Sequence, residues 1–166
     1  MITREPGGTP LGERLRELLL HSDLDMTAEA EMLLFMTARA ELLGRVIEPA
    51  LAAGRIVIAD RYHDSTLAYQ GGGRGAPSWW PDWFPRPDRT FLLELPPELG
   101  LGRLGGRGRR ADRLESEAVE FHCAVARAYS RLADEEPSRF VRLDATLPPA
   151  VIHEAVMAEL SRLLAP

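Results

Sequence analysis

The strongest constraint on the fold is an alternation of short apolar runs with longer helical patterns. Residues 55–60, 90–95 and 139–144 each form an apolar run that finishes on or beside a charged side chain. Such runs are typical of buried parallel strands whose carboxyl ends carry functional groups. Helical patterns at about 97–104, 113–135 and 148–164 separate or follow them. The sequence therefore predicts an α/β fold, a three-layer parallel sheet with helices on both faces.

Two further helices are predicted before the first complete apolar run. Thr9 is expected to cap a helix that begins at Pro10, because threonine is a good N-cap and proline suits the first helical position. Thr27 is expected to cap a longer helix that runs through Ile47. Pro49 should bend or end that helix, since proline lacks the backbone N–H that the next turn needs.

Charge composition limits which partners the chain can hold. Its 20 basic and 25 acidic side chains give a formal net charge of -5, which disfavours sequence-independent binding to a nucleic acid backbone. All 20 basic residues are arginines, so these residues do not contain the Gly-Lys-Ser/Thr ending of a phosphate-binding loop. Any phosphate group must therefore be bound by nearby arginines, each of which can donate two hydrogen bonds to it.

Other classes of protein fit the composition poorly. The single Cys123 excludes an intrachain disulfide, and the four scattered histidines lack the spacing of zinc ligands. No apolar run reaches membrane-spanning length, so we expect no membrane partner. The sequence predicts one domain of 166 residues in the cytoplasm.

Arginines from three segments of the chain are expected to face one crevice, which lies beyond the carboxyl ends of the strands. Asp60-Arg61-Tyr62 closes the run at 55–60, where a carboxylate can hold hydrated Mg²⁺ beside a guanidinium that binds a phosphate. A strand-end Asp-Arg pair is also commonly a simple salt bridge. Arg4 lies in a Gly-rich loop, and residues 103–113 hold five arginines in a Gly-rich setting that predicts a flexible anion clamp.

Six motifs in one order carry a family resemblance. They are Thr3-Arg4-Glu5-Pro6-Gly7-Gly8-Thr9, Leu33-Leu34-Phe35 followed by Ala38-Arg39-Ala40-Glu41, Asp60-Arg61-Tyr62, Ser65-Thr66-Leu67-Ala68-Tyr69-Gln70-Gly71, Asp112-Arg113-Leu114-Glu115 and Arg139-Phe140-Val141-Arg142-Leu143-Asp144-Ala145. Together they resemble the bacterial thymidylate kinases over nearly the whole chain. The resemblance implies a P-loop nucleoside monophosphate kinase fold, a homodimer, and Mg²⁺-dependent transfer of the γ-phosphoryl group of ATP to dTMP.

The resemblance also implies which side chains surround the base and sugar. Phe35 and Arg39 lie four residues apart on one helix face, so a ring that stacks on a pyrimidine sits beside a guanidinium that can donate to its O4. Thr66 and Gln70 fall on family positions near the base. Tyr69 falls on the position whose ring crowds the sugar and disfavours a ribose 2′-hydroxyl.

Other arginines are assigned to the phosphates. Arg61 falls on the family position that binds the acceptor phosphate, with Arg4 alongside, and Asp60 on the position that organises Mg²⁺. Residues 103–113 correspond to the family's lid, which closes over the phosphates and supplies a cation to the transition state. Its expected contributors are Arg103, toward ATP, and the catalytic candidates Arg107, Arg109, Arg110 and Arg113.

The sequence departs from the family at its start and in one loop. Family members have a strand, a Gly-rich phosphate loop and a helix before the first motif, whereas residues 1–3 read as the end of a strand that enters that motif directly. Without a central strand, we expect exposed apolar edges in the sheet. The segment 75–87 also looks shorter than usual.

Two functional alternatives follow from that departure. With an upstream donor loop the protein is a dTMP kinase. Without that loop it is a pseudo-enzyme that binds a nucleoside monophosphate or only dimerises, and residues 1–166 alone are expected to be inactive. A kinase for another deoxynucleotide is a third reading, which Phe35, Arg39 and Tyr69 argue against.

Overall fold

The computed structural model describes residues 1–105, 108 and 111–165. This part of the chain contains four strands: β1 (Ile2–Arg4), β2 (Ile58–Asp60), β3 (Thr90–Glu94) and β4 (Phe140–Asp144). Its α-helices are α1 (Pro10–Arg16), α2 (Ala28–Leu42), α3 (Glu48–Ala52), α4 (His63–Thr66), α5 (Pro97–Gly105), α6 (Val119–Glu135) and α7 (Pro149–Leu163). The π-helical segments Glu17–His21, Leu43–Ile47 and Leu67–Gly73 directly continue α1, α2 and α4. None of the described helices is long and apolar enough to cross a membrane.

The strands form two parallel pairs. β1 pairs with β2 in the register of Ile2 to Ile58, and β3 pairs with β4 in the register of Thr90 to Phe140. Parallel pairing with intervening helices confirms the predicted α/β class. Within the described residues β2 and β3 are not hydrogen-bonded to each other, so the expected single sheet is divided into two halves. Apolar strand positions are exposed, as expected: Ile58 is 51% exposed and Leu93 is 56% exposed.

A buried ion pair connects the β1–β2 strand pair to the β3–β4 strand pair. Arg139 lies just before β4 and donates through Nη1 and Nη2 to the carboxylate of Asp64 on α4, at 2.7 and 2.8 Å. Nη1 of Arg139 also donates to the hydroxyl of Thr90, at 2.7 Å. Since α4 follows β2 closely in the chain, the pair connects the end of the first strand pair to the start of the second.

The predicted helix starts are confirmed by their caps. The hydroxyl of Thr9 accepts from the backbone N–H of Gly12 at 3.0 Å, and that of Thr27 accepts from Ala30 at 3.2 Å. Of the two expectations for Pro49, that it ends the second helix is wrong, since helical structure continues past it to Ala52. Pro49 lies in the first turn of α3, and α2 continues through its π-helical segment, which ends at Ile47, into α3.

Two predicted elements begin later than expected. The helix predicted at 113–135 begins only at Val119, because residues before it form a separate turn. In that turn Asp112 and Glu115 bond reciprocally: each backbone N–H donates to the other's carboxylate, at 3.0 and 2.8 Å. Ala118 is extended, with ψ 155°, and separates this turn from α6. The strand predicted at 55–60 is likewise shorter and begins at Ile58.

The helix formed by α4 and Leu67–Gly73 was not predicted as a helix. Its end contains consecutive glycines, which lower helix propensity. A Cβ on Gly72 would collide with the Cβ of Ala128 on α6, so the glycine permits a close approach of the two helices. Packing against α6, rather than local propensity, therefore holds this helix and positions Tyr69 and Gln70.

The Trp-rich segment 77–87 folds onto the core, as predicted. Phe84 is buried and packs with Leu42, Leu43 and Ile47. The indole N–H of Trp80 donates to the carbonyl of Phe84 at 2.8 Å, which closes the segment on itself. It therefore covers the end of the long helix that begins at Ala28.

Candidate active site

A cavity of about 1260 Å³ lies where the carboxyl ends of β2, β3 and β4 converge. Arg4, Arg61 and the arginines of residues 103–113 were expected to face one crevice at these strand ends; among those described, only Arg61 lines the cavity. Its wall includes the predicted substrate-binding residues other than Arg4, namely Phe35, Arg39, Arg61, Thr66, Tyr69 and Gln70, and also the predicted metal ligand Asp60. It also includes Glu5 and Arg16, which were not predicted.

Arg61 has an unusual backbone on this wall. Its φ is 68°, and no other described residue except glycine has a positive φ. Left-handed backbone is costly for a residue with a Cβ, and such conformations cluster at functional sites. Nη2 of Arg61 donates to the hydroxyl of Tyr69 at 3.3 Å, and the guanidinium carbon lies 5.1 Å from the Tyr69 ring centroid. The backbone and Tyr69 thus hold the guanidinium against the cavity.

Asp60 is the carboxylate next to Arg61 on the wall. It ends β2, and its carbonyl accepts from the backbone N–H of Glu5 at 2.9 Å, while its side chain is exposed. No group of three or more His, Cys, Asp and Glu side chains in the described ranges could hold a metal. Mg²⁺ is commonly bound by one or two carboxylates together with waters and substrate phosphates, so Asp60 fits a magnesium site completed by a nucleotide.

Phe35 and Arg39 occupy successive turns of α2, as predicted. Phe35 packs with Leu19 and Leu20. Arg39 is 2% exposed, and its Nε and Nη2 both contact Oε2 of Glu5, at 2.7 and 2.6 Å. Burial raises the pKa of Glu5, and the charge of Arg39 opposes that rise. The sequence signal for Glu5 was its place beside Arg4 in the first motif.

The other side of Arg39 is held by His63 and Thr66. Nη1 of Arg39 donates to the Thr66 hydroxyl at 2.9 Å and contacts Nδ1 of His63 at 3.0 Å. Because a guanidinium only donates, Nδ1 must accept, and Nε2–H of His63 must donate to the Trp79 carbonyl at 2.7 Å. Burial, with the nearby charge of Arg39, lowers the pKa of His63 to about 4. Arg39 is therefore a rigid cation beside a neutral imidazole.

Tyr69 and Gln70 lie side by side on the helix that follows β2. Tyr69 makes edge-to-face contacts with Phe121 and Tyr129, with ring centroids 6.0 and 6.3 Å apart. Gln70 is 1% exposed and donates from Nε2 to Oε1 of Glu31 at 2.7 Å. The ring of Tyr69 and the amide of Gln70 are thus fixed before any ligand binds.

Several predicted arginines do not line the cavity. Arg4 forms an exposed ion pair with Glu13 at 3.2 Å. Arg103 donates to the carbonyl of Ala145 at 2.9 Å. Arg113 donates to Oε2 of Glu31 at 2.6 Å, so in this conformation it stabilises the fold. The remaining lid candidates, Arg107, Arg109 and Arg110, lie outside the described residues.

Arg16 takes a place on the wall that the sequence assigned to Arg4. Its Nη1 donates to the carbonyl of Pro6 at 2.9 Å, which turns the side chain from α1 toward the Gly-rich loop. The signal for it was weak, because an arginine in the last turn of a helix commonly faces solvent and stabilises the helix dipole.

Comparison with known proteins decides the family. The family profile described as thymidylate kinase matches residues 1–156. The chain belongs to the thymidylate kinase family. The thymidylate kinases of Chromobacterium violaceum and Thermomicrobium roseum are 48% and 45% identical to it, over 98% and 99% of this chain and 80% and 81% of their own lengths. The crystal structure of thymidylate kinase from Ehrlichia chaffeensis superimposes with a TM-score of 0.72 at 28% identity, over 96% of this chain and 79% of that one.

Membership of the thymidylate kinase family agrees with the geometry. The family name denotes a phosphotransferase, and the cavity joins an aromatic and amide wall to an exposed guanidinium at a strand end. Both the fold and the enzyme class predicted from the six motifs are confirmed.

Proposed function

We propose that the cavity binds dTMP as phosphoryl acceptor and that the protein transfers to it the γ-phosphoryl group of ATP, giving dTDP. One observation supports this most. Arg61, in a left-handed backbone conformation at the end of β2, lies on the same wall as Phe35, Arg39 and Gln70. That wall offers a ring for stacking, a cationic donor and an amide, and Arg61 supplies the charge for a phosphate.

The base would lie against Phe35. Arg39 would donate to the pyrimidine O4, since its guanidinium is held by Glu5 on one side and by Thr66 on the other. Thr66 would therefore act on the base through Arg39. Fixing the donor before binding reduces the entropy lost when the ligand is ordered.

The sugar and phosphate would extend toward Tyr69 and Arg61. The Tyr69 ring, wedged against Phe121 and Tyr129, would leave no room for a ribose 2′-hydroxyl. Arg61 and Arg16 would bind the 5′-phosphate. Arg4 would join them only after leaving Glu13, which costs little because surface ion pairs contribute at most about 1 kcal/mol.

Phosphoryl transfer needs further positive charge. When bound, Mg²⁺ would neutralise charge that develops on the transferred group, and Asp60 would hold the ion. We assign Arg103, Arg107, Arg109, Arg110 and Arg113 to the lid that surrounds the phosphates. For Arg113, this role requires release from Glu31.

Binding of dTMP and transfer to it are separable in this proposal. The 166 residues contain no lysine and no Gly-Lys-Ser/Thr sequence, so they offer no phosphate-binding loop for the β- and γ-phosphates of ATP. We therefore propose that residues 1–166 bind dTMP, and that turnover requires a strand, donor loop and helix joined before Met1.

The test is ADP release from ATP in the presence of dTMP and Mg²⁺. It compares residues 1–166 with a chain extended by the corresponding segment of the Chromobacterium violaceum relative. Turnover only by the extended chain is expected. An inactive extended chain that still binds dTMP would favour the pseudo-enzyme, and turnover by residues 1–166 would contradict the need for the loop.

A further inference from the structure

A buried carboxylate on α2 lies behind the cavity wall. The side chain of Glu31 is 1% exposed. Its Oε1 accepts from Nε2 of Gln70 at 2.7 Å, and its Oε2 accepts from Nη2 of Arg113 at 2.6 Å. Arg74 makes longer contacts with both oxygens, at 3.5 and 3.4 Å. Glu31 thus joins a predicted base-contacting residue to two arginines that do not line the cavity.

The network keeps Glu31 ionised. Burial alone would raise its pKa, but the hydrogen bonds from Gln70 and Arg113, with the charges of Arg113 and Arg74, hold the pKa below its ordinary value. Arg113 is itself fixed, because its Nε donates to the carbonyl of Leu19 at 2.8 Å. A carboxylate in this setting accepts hydrogen bonds and has no proton to donate.

This chemistry fixes which way the amide of Gln70 points. An ionised Glu31 can bond only the NH₂ group of the amide, so the carbonyl oxygen must point away from it. Gln70 lines the cavity, and within the described part of the chain its Oε1 makes no hydrogen bond. Turning the amide over would place two acceptors against each other in a buried site, which is strongly unfavourable. Gln70 therefore presents the cavity with an acceptor and cannot present a donor.

We infer that Glu31 is a specificity-determining positioning residue: by holding Gln70 as an acceptor, it makes the site select a pyrimidine that carries a ring N–H. This inference rests on the proposed binding of dTMP. Thymine has N3–H, which the carbonyl of Gln70 accepts. Cytosine has a lone pair at N3, so two acceptors oppose each other and neither can be satisfied. Glu31 discriminates between the bases without contacting either.

The experiment compares the binding of dTMP and 5-methyl-dCMP to residues 1–166 by titration calorimetry. The two ligands share the sugar, the phosphate and the 5-methyl group, and they differ only at N3 and the C4 substituent. The unaltered protein is expected to prefer dTMP by about 100-fold or more, since sites built around a hydrogen bond reject the mismatched analogue strongly. Glu31→Gln should narrow that preference by about tenfold, because a neutral amide lets Gln70 turn over.

Two control variants separate orientation from charge and packing. Glu117→Gln removes the same charge from the same cluster, since Glu117 bonds Arg74 at 2.6 Å, but Glu117 makes no hydrogen bond to Gln70 in the described residues. The Glu117→Gln variant should therefore keep the preference for dTMP over 5-methyl-dCMP. Glu31→Asp retains an acceptor-only group, so it should keep the preference even where the affinity for both ligands falls.

The ratio of the affinities for dTMP and 5-methyl-dCMP, measured in each variant, decides the inference. A smaller preference for dTMP over 5-methyl-dCMP in Glu31→Gln alone supports the inference. An unchanged preference in that variant overturns it. An equal loss of preference in Glu117→Gln or Glu31→Asp also overturns it. If circular dichroism shows that Glu31→Gln is unfolded, Gln70→Met removes the acceptor oxygen directly and must narrow the preference, or the inference fails. An unaltered protein that does not bind dTMP overturns the proposed function itself.

Discussion

Three polar side chains on the cavity wall, Arg39, Arg61 and Gln70, are each held by a neighbour within the protein. Glu5 holds Arg39 at 2.7 Å, Tyr69 holds Arg61 at 3.3 Å, and a carboxylate behind the wall holds Gln70. Side chains fixed in this way lose little conformational entropy when a ligand binds. The residue scale is therefore where the specificity of the site is decided.

Replacing Arg61 by Ala or by Gly separates its role in binding from its backbone strain. Both changes remove the guanidinium, so the affinity for dTMP should fall by about 10- to 100-fold, the value of a hydrogen bond to a charged group. Glycine tolerates a φ of 68°, so Arg61→Gly should be more stable than Arg61→Ala by about 1 kcal/mol. Calorimetry and urea unfolding measure the two effects. Unchanged affinity would remove Arg61 from the site, and equal stability would contradict the strain.

The buried, neutral His63 predicts a pH dependence of stability. Its folded pKa of about 4 lies below the ordinary value of 6.5, so between those pH values the unfolded chain binds a proton that the folded protein does not. The free energy of unfolding should therefore decrease as the pH falls through this window, by about 3 kcal/mol in total.

The measurement for His63 is urea unfolding across that window. His63→Gln should lose much of the pH dependence, while His153→Gln should keep it, since His153 is exposed on α7. The same pH profile in the unaltered protein and His63→Gln would show that His63 is not the group responsible.

At the element scale, features with a local signal were predictable from the sequence. The caps at Thr9 and Thr27 and the carboxyl ends of the strands were predicted because side-chain type and periodicity determine them. The helix after β2 was missed because packing against α6 holds its glycine-rich end. Glu5 and Glu31 were missed as partners of predicted residues, because the sequence alone does not separate a buried carboxylate from one that faces solvent.

Two glycine-to-alanine changes test that packing. Gly72→Ala should lower the free energy of unfolding by about 1–3 kcal/mol, because the new methyl group collides with Ala128 and overpacks the interface. Gly44→Ala is the matched control: it also lies in a helical segment, nothing lies within 4 Å of its Cβ position, and it should stabilise by about 0.5–1 kcal/mol. If thermal unfolding gives the two variants equal stability, close packing does not position the helix.

At the scale of the whole molecule, the long helix that starts at Ala28 predicts self-association. Leu33 on α2 is 53% exposed although the opposite side of that helix is already buried in the core. We predict a homodimer through this surface, and Leu33→Glu should shift it toward monomer. Leu99→Glu on α5 is the control, because Leu99 is equally exposed at 53%. Sedimentation equilibrium that shows only monomer for the unaltered protein at micromolar concentration contradicts the prediction.

The central claim is that the cavity of residues 1–166 is a binding site for dTMP, and titration calorimetry with three ligands tests it most directly. dTMP should bind at least about 10-fold more tightly than thymidine, which has no phosphate for Arg61. It should also bind more tightly than ribothymidine 5′-monophosphate, whose 2′-hydroxyl would clash with the Tyr69 ring. The account predicts that order of affinities, and it is contradicted if dTMP does not bind or if thymidine binds as tightly as dTMP.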